Sequence, residues 1–252
     1  MNKYKIHPIK DRLDDQTIEH DLFNVPFRGI ITAKSGQGKS LTAVNMILLW
    51  YRKVFKGDNI YLVLGTKNDD KMEFLIDKKD IPKENIYYEF DESKLHTLYN
   101  KLEEEYEINT QMKGDPIHNL VLVDDFGFSN NLNGRNYNSI INKLYTNGRH
   151  YNISTISIYQ KYTSMISTAV RNNLTFAIFF KTSNKELGQI AEDMNYLPDD
   201  NGDKKFKRMF NEITSKKHNT FTINLDKGMN DINKLYMDNF EFVNLDKYIK
   251  ED

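Results

Sequence analysis

Short apolar runs alternate with amphipathic segments along most of the chain. The apolar runs predict buried strands over residues 27–33, 59–64, 120–123, 153–158 and 174–180. Weaker runs predict three further strands over residues 86–90, 220–225 and 234–237. Apolar residues at helical spacing predict helices over residues 40–55, 69–78, 91–107, 136–148, 164–171, 183–194 and 204–216. Strands that alternate with helices indicate an α/β fold whose mostly parallel central sheet is covered by helices on both faces.

The length of 252 residues fits a single domain with appendages better than two full domains. We expect a core over about 25–225, preceded by a polar N-terminal arm over 1–24 and followed by a polar C-terminal extension over 226–252. The chain shows neither an internal repeat nor a low-complexity linker. The sequence therefore predicts one domain over 1–252.

The composition excludes several classes of protein. A formal net charge of −1 argues against a uniformly basic nucleic-acid binder, although a local basic stripe stays compatible with it. The absence of cysteine excludes disulfides, cysteine-ligated zinc and thiol catalysis. No apolar run approaches the roughly 20 residues of a membrane span, and no signal peptide is recognised. We therefore expect an intracellular protein that does not bind membranes.

The run AKSGQGKS over 33–40 stands between the first strand and the first helix. Glycines there let backbone N–H groups converge on phosphate oxygens, a lysine reaches the β- and γ-phosphates, and a hydroxyl binds Mg²⁺. The run departs from the strict motif only at Ala33, which predicts a more ordinary exit from the strand. The sequence predicts an ATP–Mg²⁺ site. The nucleotide-binding residues are Ser35, Gly36, Gln37, Gly38, Lys39, Ser40 and Leu41.

Two carboxylates, Asp124 and Asp125, follow the aliphatic run over 120–123. A parallel strand delivers such residues to the edge of the sheet that holds the phosphate loop. We assign Asp124 to Mg²⁺, together with Ser40, and Asp125 to the attacking water. The GTPase-like pair of motifs at 66–69 and 124–127 occurs in the reverse of the GTPase order, which favours ATP over GTP.

The segment GRHYNISTISIYQ over 148–160 ends a helix, enters a strand and places Gln160 past the end of that strand. An amide there can hydrogen-bond the γ-phosphate or orient water. Four parts of the sequence, in their order and spacing along the chain, resemble the genome-packaging ATPases of large double-stranded DNA viruses and virophages, a viral branch of the FtsK–HerA superfamily. They are the phosphate loop, VDD over 123–125, the segment over 148–160 and STAVRNN over 167–173. The resemblance covers roughly 25–182. Asp125 departs from it, because the wider superfamily often carries glutamate there.

The resemblance implies a RecA-like P-loop ATPase that assembles into a homo-oligomeric ring, a pentamer or a hexamer, and drives double-stranded DNA into a capsid. It also implies a capsid or portal partner and a location in the host cytoplasm or viral factory, with virion association as a further option. Each active site would lie at a subunit interface and receive an arginine from the neighbouring subunit. Arg149 and Arg171 are the candidates, and we prefer Arg149 because its helix-to-strand corner can face a neighbour. The alternative role for either arginine is a surface ion pair, which for Arg171 is an equally good interpretation.

Contacts to DNA are expected from backbone amides and lysines that bind phosphates without reading sequence. The segments 130–138, 161–163 and 204–217 are candidates for them. Three other functions stay open: a cellular or plasmid translocase of the same superfamily, a small nucleoside or nucleotide kinase, and a nucleotide-dependent switch that hydrolyses slowly. The kinase is disfavoured because the sequence shows no clear arginine-bearing lid.

Overall fold

A computed structural model describes residues 16–124, 139–198 and 201–249 of the protein. Within them, one sheet has the strand order β3-β2-β4-β5-β1-β6-β7-β8-β9. The strands are β1 (Arg28–Thr32), β2 (Ile60–Leu64), β3 (Ile86–Tyr87), β4 (Asn119–Asp124), β5 (Ile153–Tyr159), β6 (Phe176–Phe179), β7 (Phe221–Asn224), β8 (Tyr236–Asp238) and β9 (Glu241–Phe242).

The six strands from β3 to β6 in this order pair in parallel. The remaining three, β7 to β9, add to the edge of the sheet in antiparallel pairs. The predicted fold class, a mostly parallel sheet of the RecA-like P-loop type, is confirmed. Since parallel strands share one direction, their carboxyl ends form a single edge, and β7 begins at that same edge because it runs the opposite way.

Helices cover both faces of the sheet, as expected. They are α1 (Lys39–Asn45), α2 (Asp70–Lys79), α3 (Glu92–Gln111), α4 (Ile140–Asn147), α5 (Thr168–Arg171), α6 (Asn184–Met194), α7 (Gly202–Ile213), α8 (Leu225–Gly228) and α9 (Asp246–Ile249). Apolar residues of α1 and α2 belong to one core cluster, whereas those of α3, α4, α6 and α7 belong to the cluster on the other face. Among the described residues, no helix is both long enough and apolar enough to cross a bilayer.

The first helix is shorter than the apolar spacing over 40–55 predicts. After α1 the chain widens into a π-helical turn over Met46–Trp50, and the helix then ends. Tyr51 turns into the core, where its hydroxyl donates to Phe23 O (2.9 Å) and accepts from Phe23 N (3.1 Å). The apolar residues that extend the pattern are therefore buried by a turn rather than by a longer helix.

Other boundaries move by a few residues. The helix predicted over 164–171 begins only at Thr168, because Ser167 caps it by accepting from Val170 N (3.1 Å). Ser183 caps α6 by accepting from Glu186 N (3.4 Å), so this helix begins where the sequence predicts. The helix predicted over 136–148 is described from Ile140 onward, and residues 136–138 lie outside the described ranges.

Both expected appendages touch the core where the structure describes them. In the predicted arm, Phe23 is fully buried and stacks on Phe176 of β6 at 4.0 Å between ring centroids. In the predicted C-terminal extension, Tyr236 and Met237 are buried in β8, inside the sheet. The division at residues 25 and 225 stays a prediction, and the sheet itself continues to Phe242.

Candidate functional site

The phosphate loop connects β1 to α1 in a conformation that only glycine adopts readily. Gly36 and Gly38 have φ angles of 76° and 109°, in the left-handed region. Lys39 is buried, and its Nζ donates to Ala33 O (2.8 Å) and Lys34 O (3.1 Å). The loop therefore wraps around the ammonium group at the first turn of α1, where backbone N–H groups and the helix dipole favour an anion.

Ala33 occupies the position at which the strict motif has glycine. The described residues with positive φ do not include it, and its N–H donates to Tyr159 O (3.2 Å) as a continuation of the β1–β5 pairing. The ordinary strand exit predicted from this substitution is what the structure shows. Alanine is tolerated because the left-handed turns come later, at the two glycines.

Ser40 and Asp124 meet at the centre of the carboxyl edge. Asp124 ends β4 and is 5% exposed, and Ser40 Oγ donates to Asp124 Oδ2 at 2.8 Å. These residues are 84 positions apart in the chain, so the sheet alone brings them together. Hydroxyl and carboxylate oxygens are the donors that Mg²⁺ prefers, and hence the pair fits a magnesium ion.

A cavity of about 710 Å³ opens over the phosphate loop. The predicted nucleotide-binding residues 35–41 and Asp124 all line it. It is also lined by residues that sequence reasoning missed, which include Gly65, Thr66, Asp69, Phe180 and His218. His218 is distant in the sequence from every motif, and only the antiparallel direction of β7 returns its loop to this edge.

The two residues predicted to act on water are placed differently. Asp125 lies outside the described residues, so its assignment stays a prediction. Gln160 directly follows β5 at the carboxyl edge, beside the β1–β5 pairing that leads into the loop. It does not line the cavity, and its role also stays a prediction.

Arg149 lies at the opposite edge of the sheet. It belongs to the 3₁₀ turn Gly148–Tyr151, which precedes β5, and its side chain is exposed. The seven residues of β5 separate it from the carboxyl edge by about 20 Å. Within the described residues it forms no ion pair. The structure therefore does not bring Arg149 to the phosphate loop of its own chain.

Arg28, the first residue of β1, lies beside Arg149 at this amino edge. Its Nε donates to Asn173 O (2.5 Å). Burial, followed by the charge of Arg149, lowers the pKa of Arg28 to about 10. The carboxylate of Asp226 acts in the opposite direction and raises the pKa, so the chain itself balances part of the positive charge at this place.

Arg171, the second candidate, also precedes a parallel strand, β6, and is therefore on the amino edge too. Its Nη1 forms an ion pair with Asp193 Oδ2 at 2.6 Å, and Tyr162 Oη donates to the same carboxylate oxygen (2.7 Å). Burial opposes the charge of Arg171, but the hydrogen bond and the charge of Asp193 raise its pKa. Within residues 16–124, 139–198 and 201–249, this arginine has a carboxylate partner and Arg149 has none.

The three segments predicted to contact DNA differ in whether the structure describes them and in how exposed they are. Residues 130–138 lie outside the described ranges. In the segment 161–163, the N–H groups of Tyr162 and Thr163 donate to Glu186 Oε2 (2.7 and 3.1 Å), so these two amides are already used. The basic segment 204–217 comprises most of α7, which buries its apolar face and leaves lysines exposed on the other, and the exposed loop after it.

Comparisons with known proteins give one family and one fold. Residues 15–229 match the family described as Poxvirus A32 protein. The crystal structure of B204, the DNA-packaging ATPase from Sulfolobus turreted icosahedral virus, superposes with a TM-score of 0.56 at 11% identity over 85% of this chain and 97% of that one. The genome-packaging NTPase B204 from Sulfolobus turreted icosahedral virus 2, in complex with AMP, superposes with a TM-score of 0.55 at 11% identity, over 86% of this chain and 98% of that one. At this identity the similarity shows the fold. No curated protein sequence matches the chain.

Proposed function

The chain belongs to the Poxvirus A32 protein family, and from this premise we propose that it is the ATP-hydrolysing motor subunit that translocates double-stranded DNA into a viral capsid. The family match agrees with the resemblance to genome-packaging ATPases that the motifs carry. The B204 proteins, which share the fold, are a DNA-packaging ATPase and a genome-packaging NTPase. The proposal therefore has support from the family, from the fold and from the site.

The observation that carries the proposal is the hydrogen bond between Ser40 and Asp124 beside the buried Lys39. In a P-loop enzyme, Lys39 would hold the β- and γ-phosphates, and the Ser40 hydroxyl and the Asp124 carboxylate would hold Mg²⁺. A bound magnesium ion neutralises charge on the phosphate oxygens. Asp125, the next residue after β4, would polarise the attacking water, with Gln160 as the residue that responds to the γ-phosphate.

Arg149 extends the proposal from one subunit to a ring. Its position about 20 Å from the phosphate loop prevents it from serving its own chain, while exposure leaves it available to another. We propose a homo-oligomeric ring, a pentamer or a hexamer, in which Arg149 enters the neighbouring site. The ring would surround DNA and bind a capsid or portal component, inside the host cell or with the virion.

A cellular or plasmid translocase would use the same site, and the family match favours the viral function over it. A small nucleoside or nucleotide kinase would need a cationic lid over an acceptor. Among the described residues that line the cavity, Lys39 and Lys71 are the only lysines or arginines. Lys39 belongs to the phosphate loop and Lys71 to α2, so neither forms an arginine-bearing lid. The geometry favours the motor.

The test is the hydrolysis of ATP by the purified protein, measured as phosphate release with and without duplex DNA. We expect Mg²⁺-dependent turnover that rises when duplex DNA is added, because translocation couples the two. Adding nucleosides provides the control, since a motor leaves them unmodified. Phosphorylation of a nucleoside without any stimulation by DNA would contradict the proposal.

A further inference from the structure

The loop between α7 and β7 reaches the rim of the nucleotide cavity and presents a histidine there. His218 lines the cavity, and its Nδ1 lies 2.9 Å from Gln37 O in the phosphate loop. Because a carbonyl oxygen can only accept, the ring nitrogen donates this hydrogen bond. The side chain is otherwise exposed, so its planar ring stands at a site where a ligand arrives.

The backbone holds His218 in place before any ligand binds. Its φ of 70° lies in the left-handed region, and Asn219 N donates to Lys216 O (3.2 Å) to close a turn around it. Thr220, two residues later, is buried and donates from its N–H to Asn239 Oδ1 (2.9 Å). A residue kept in an unfavourable backbone region by its surroundings is typical of ligand sites.

The strand order indicates which part of a nucleotide would meet this ring. Asp124 ends β4, which is separated from β1 by β5, whereas Phe180 and His218 belong to the β6–β7 side of β1. If the terminal phosphate lies toward Asp124, as the proposed function requires, the nucleoside extends from the phosphate loop toward β6 and β7. The nucleoside then lies next to His218 and Phe180, both of which are close to Gly38 of the phosphate loop.

We propose that the imidazole ring of His218 stacks on the base of the bound nucleoside triphosphate and is a determinant of nucleotide affinity. The inference rests on the proposed nucleotide site and adds a residue that no motif includes. Stacking uses the π-face that every base possesses, and histidine is among the side chains that provide it. The contact should therefore strengthen the binding of ATP and GTP alike, and leave inorganic triphosphate, which has no base, unaffected.

Two substitutions separate stacking from support of the phosphate loop. His218→Asn tolerates the left-handed backbone and keeps a hydrogen-bond donor for Gln37 O, but removes the ring. His218→Phe keeps a ring and removes the donor. His96→Ala is the matched control, since His96 is a partly buried histidine on α3 that does not line the cavity.

The measurement is calorimetric binding of two ligands with Mg²⁺, the β,γ-methylene analogue of ATP and inorganic triphosphate. We expect His218→Asn to weaken the analogue about tenfold, with triphosphate unchanged, and His218→Phe and His96→Ala to bind both ligands like the unmodified protein. The inference is overturned if His218→Asn keeps its affinity for the analogue, if His218→Phe loses it, or if triphosphate weakens in parallel. Failure of the unmodified protein to bind either ligand would instead overturn the proposed function itself.

Discussion

At the carboxyl edge of the parallel strands, Lys39 and Asp124 are buried and hydrogen-bonded, whereas at the amino edge Arg149 is exposed and pairs with no carboxylate of the described residues. At the first edge, the phosphate loop over 33–40 and Asp124, together called the cradle below, are already organised by their own hydrogen bonds. The second carries the exposed positive charge of Arg149, while Arg28 beside it is mostly buried and feels the carboxylate of Asp226. The difference fits the proposal that the carboxyl edge binds the nucleotide, while Arg149 at the amino edge acts on a neighbouring subunit.

Removing the lysine of the cradle should have the largest effect. Lys39→Ala deletes the buried ammonium around which the loop folds, and we expect nucleotide binding and turnover to fall below detection. Lys34→Ala, which removes an exposed ammonium from the same loop, is the matched control and should keep most of the turnover. For each variant, calorimetry measures nucleotide binding and phosphate release measures turnover. Normal turnover of Lys39→Ala would show that the cradle is not the catalytic site.

The acidic pair should show a smaller effect that separates binding from hydrolysis. Asp125→Asn removes the proposed base but leaves Asp124 for the metal ion, so we expect nucleotide affinity to persist while hydrolysis drops about 100-fold or more. Phosphate release and calorimetry on the same preparation distinguish the two. If the variant keeps normal turnover, the assignment of the base is wrong.

At the amino edge, Arg171 should matter for stability rather than for turnover. Its ion pair with Asp193 is about three-quarters buried, with the side chains 22% and 25% exposed. Arg171→Ala should therefore lower the free energy of unfolding by about 1–2 kcal/mol, measured by urea denaturation. Turnover should stay close to that of the unmodified protein at a temperature where both are folded. A large loss of turnover without a loss of stability would make Arg171, rather than Arg149, the trans-acting arginine.

The smallest expected effect is a pH dependence of stability at the same edge. His118 directly precedes β4, is buried, and burial lowers its pKa below the ordinary value. The unfolded chain then binds this proton more readily than the folded one, so His118 lowers stability as the pH falls below about 6.5. His118→Phe should flatten the change in unfolding free energy between roughly pH 7 and 5, measured by urea denaturation at each pH. An unchanged slope would show that His118 titrates alike in both states.

The sequence predicted the cradle better than its surroundings. Residues 33–40 and Asp124 could be recognised because local spacing and a strand end determine where they lie. His218 could not, since it reaches the cavity only through the antiparallel direction of β7, and its lysine-rich neighbourhood resembles a solvated surface. An ion pair was the alternative role considered for Arg171, and the structure shows one, but its partner could not be named because Asp193 lies on α6, 22 residues away. Contacts that depend on the order and direction of the strands join residues far apart in the chain, and the local pattern of apolar and polar residues does not predict them.

The central claim is that one subunit supplies the cradle and its neighbour supplies Arg149, and mixing two inactive subunits tests it most directly. Arg149→Ala alone should lose about 10³-fold or more in turnover while it still binds ATP, and Lys39→Ala alone should be inactive. In a mixture of the two, some interfaces join the intact Lys39 of one variant to the intact Arg149 of the other. We predict that phosphate release recovers in the mixture and rises with the fraction of such interfaces. A mixture as inactive as its two components, in rings shown to contain both, would contradict the account.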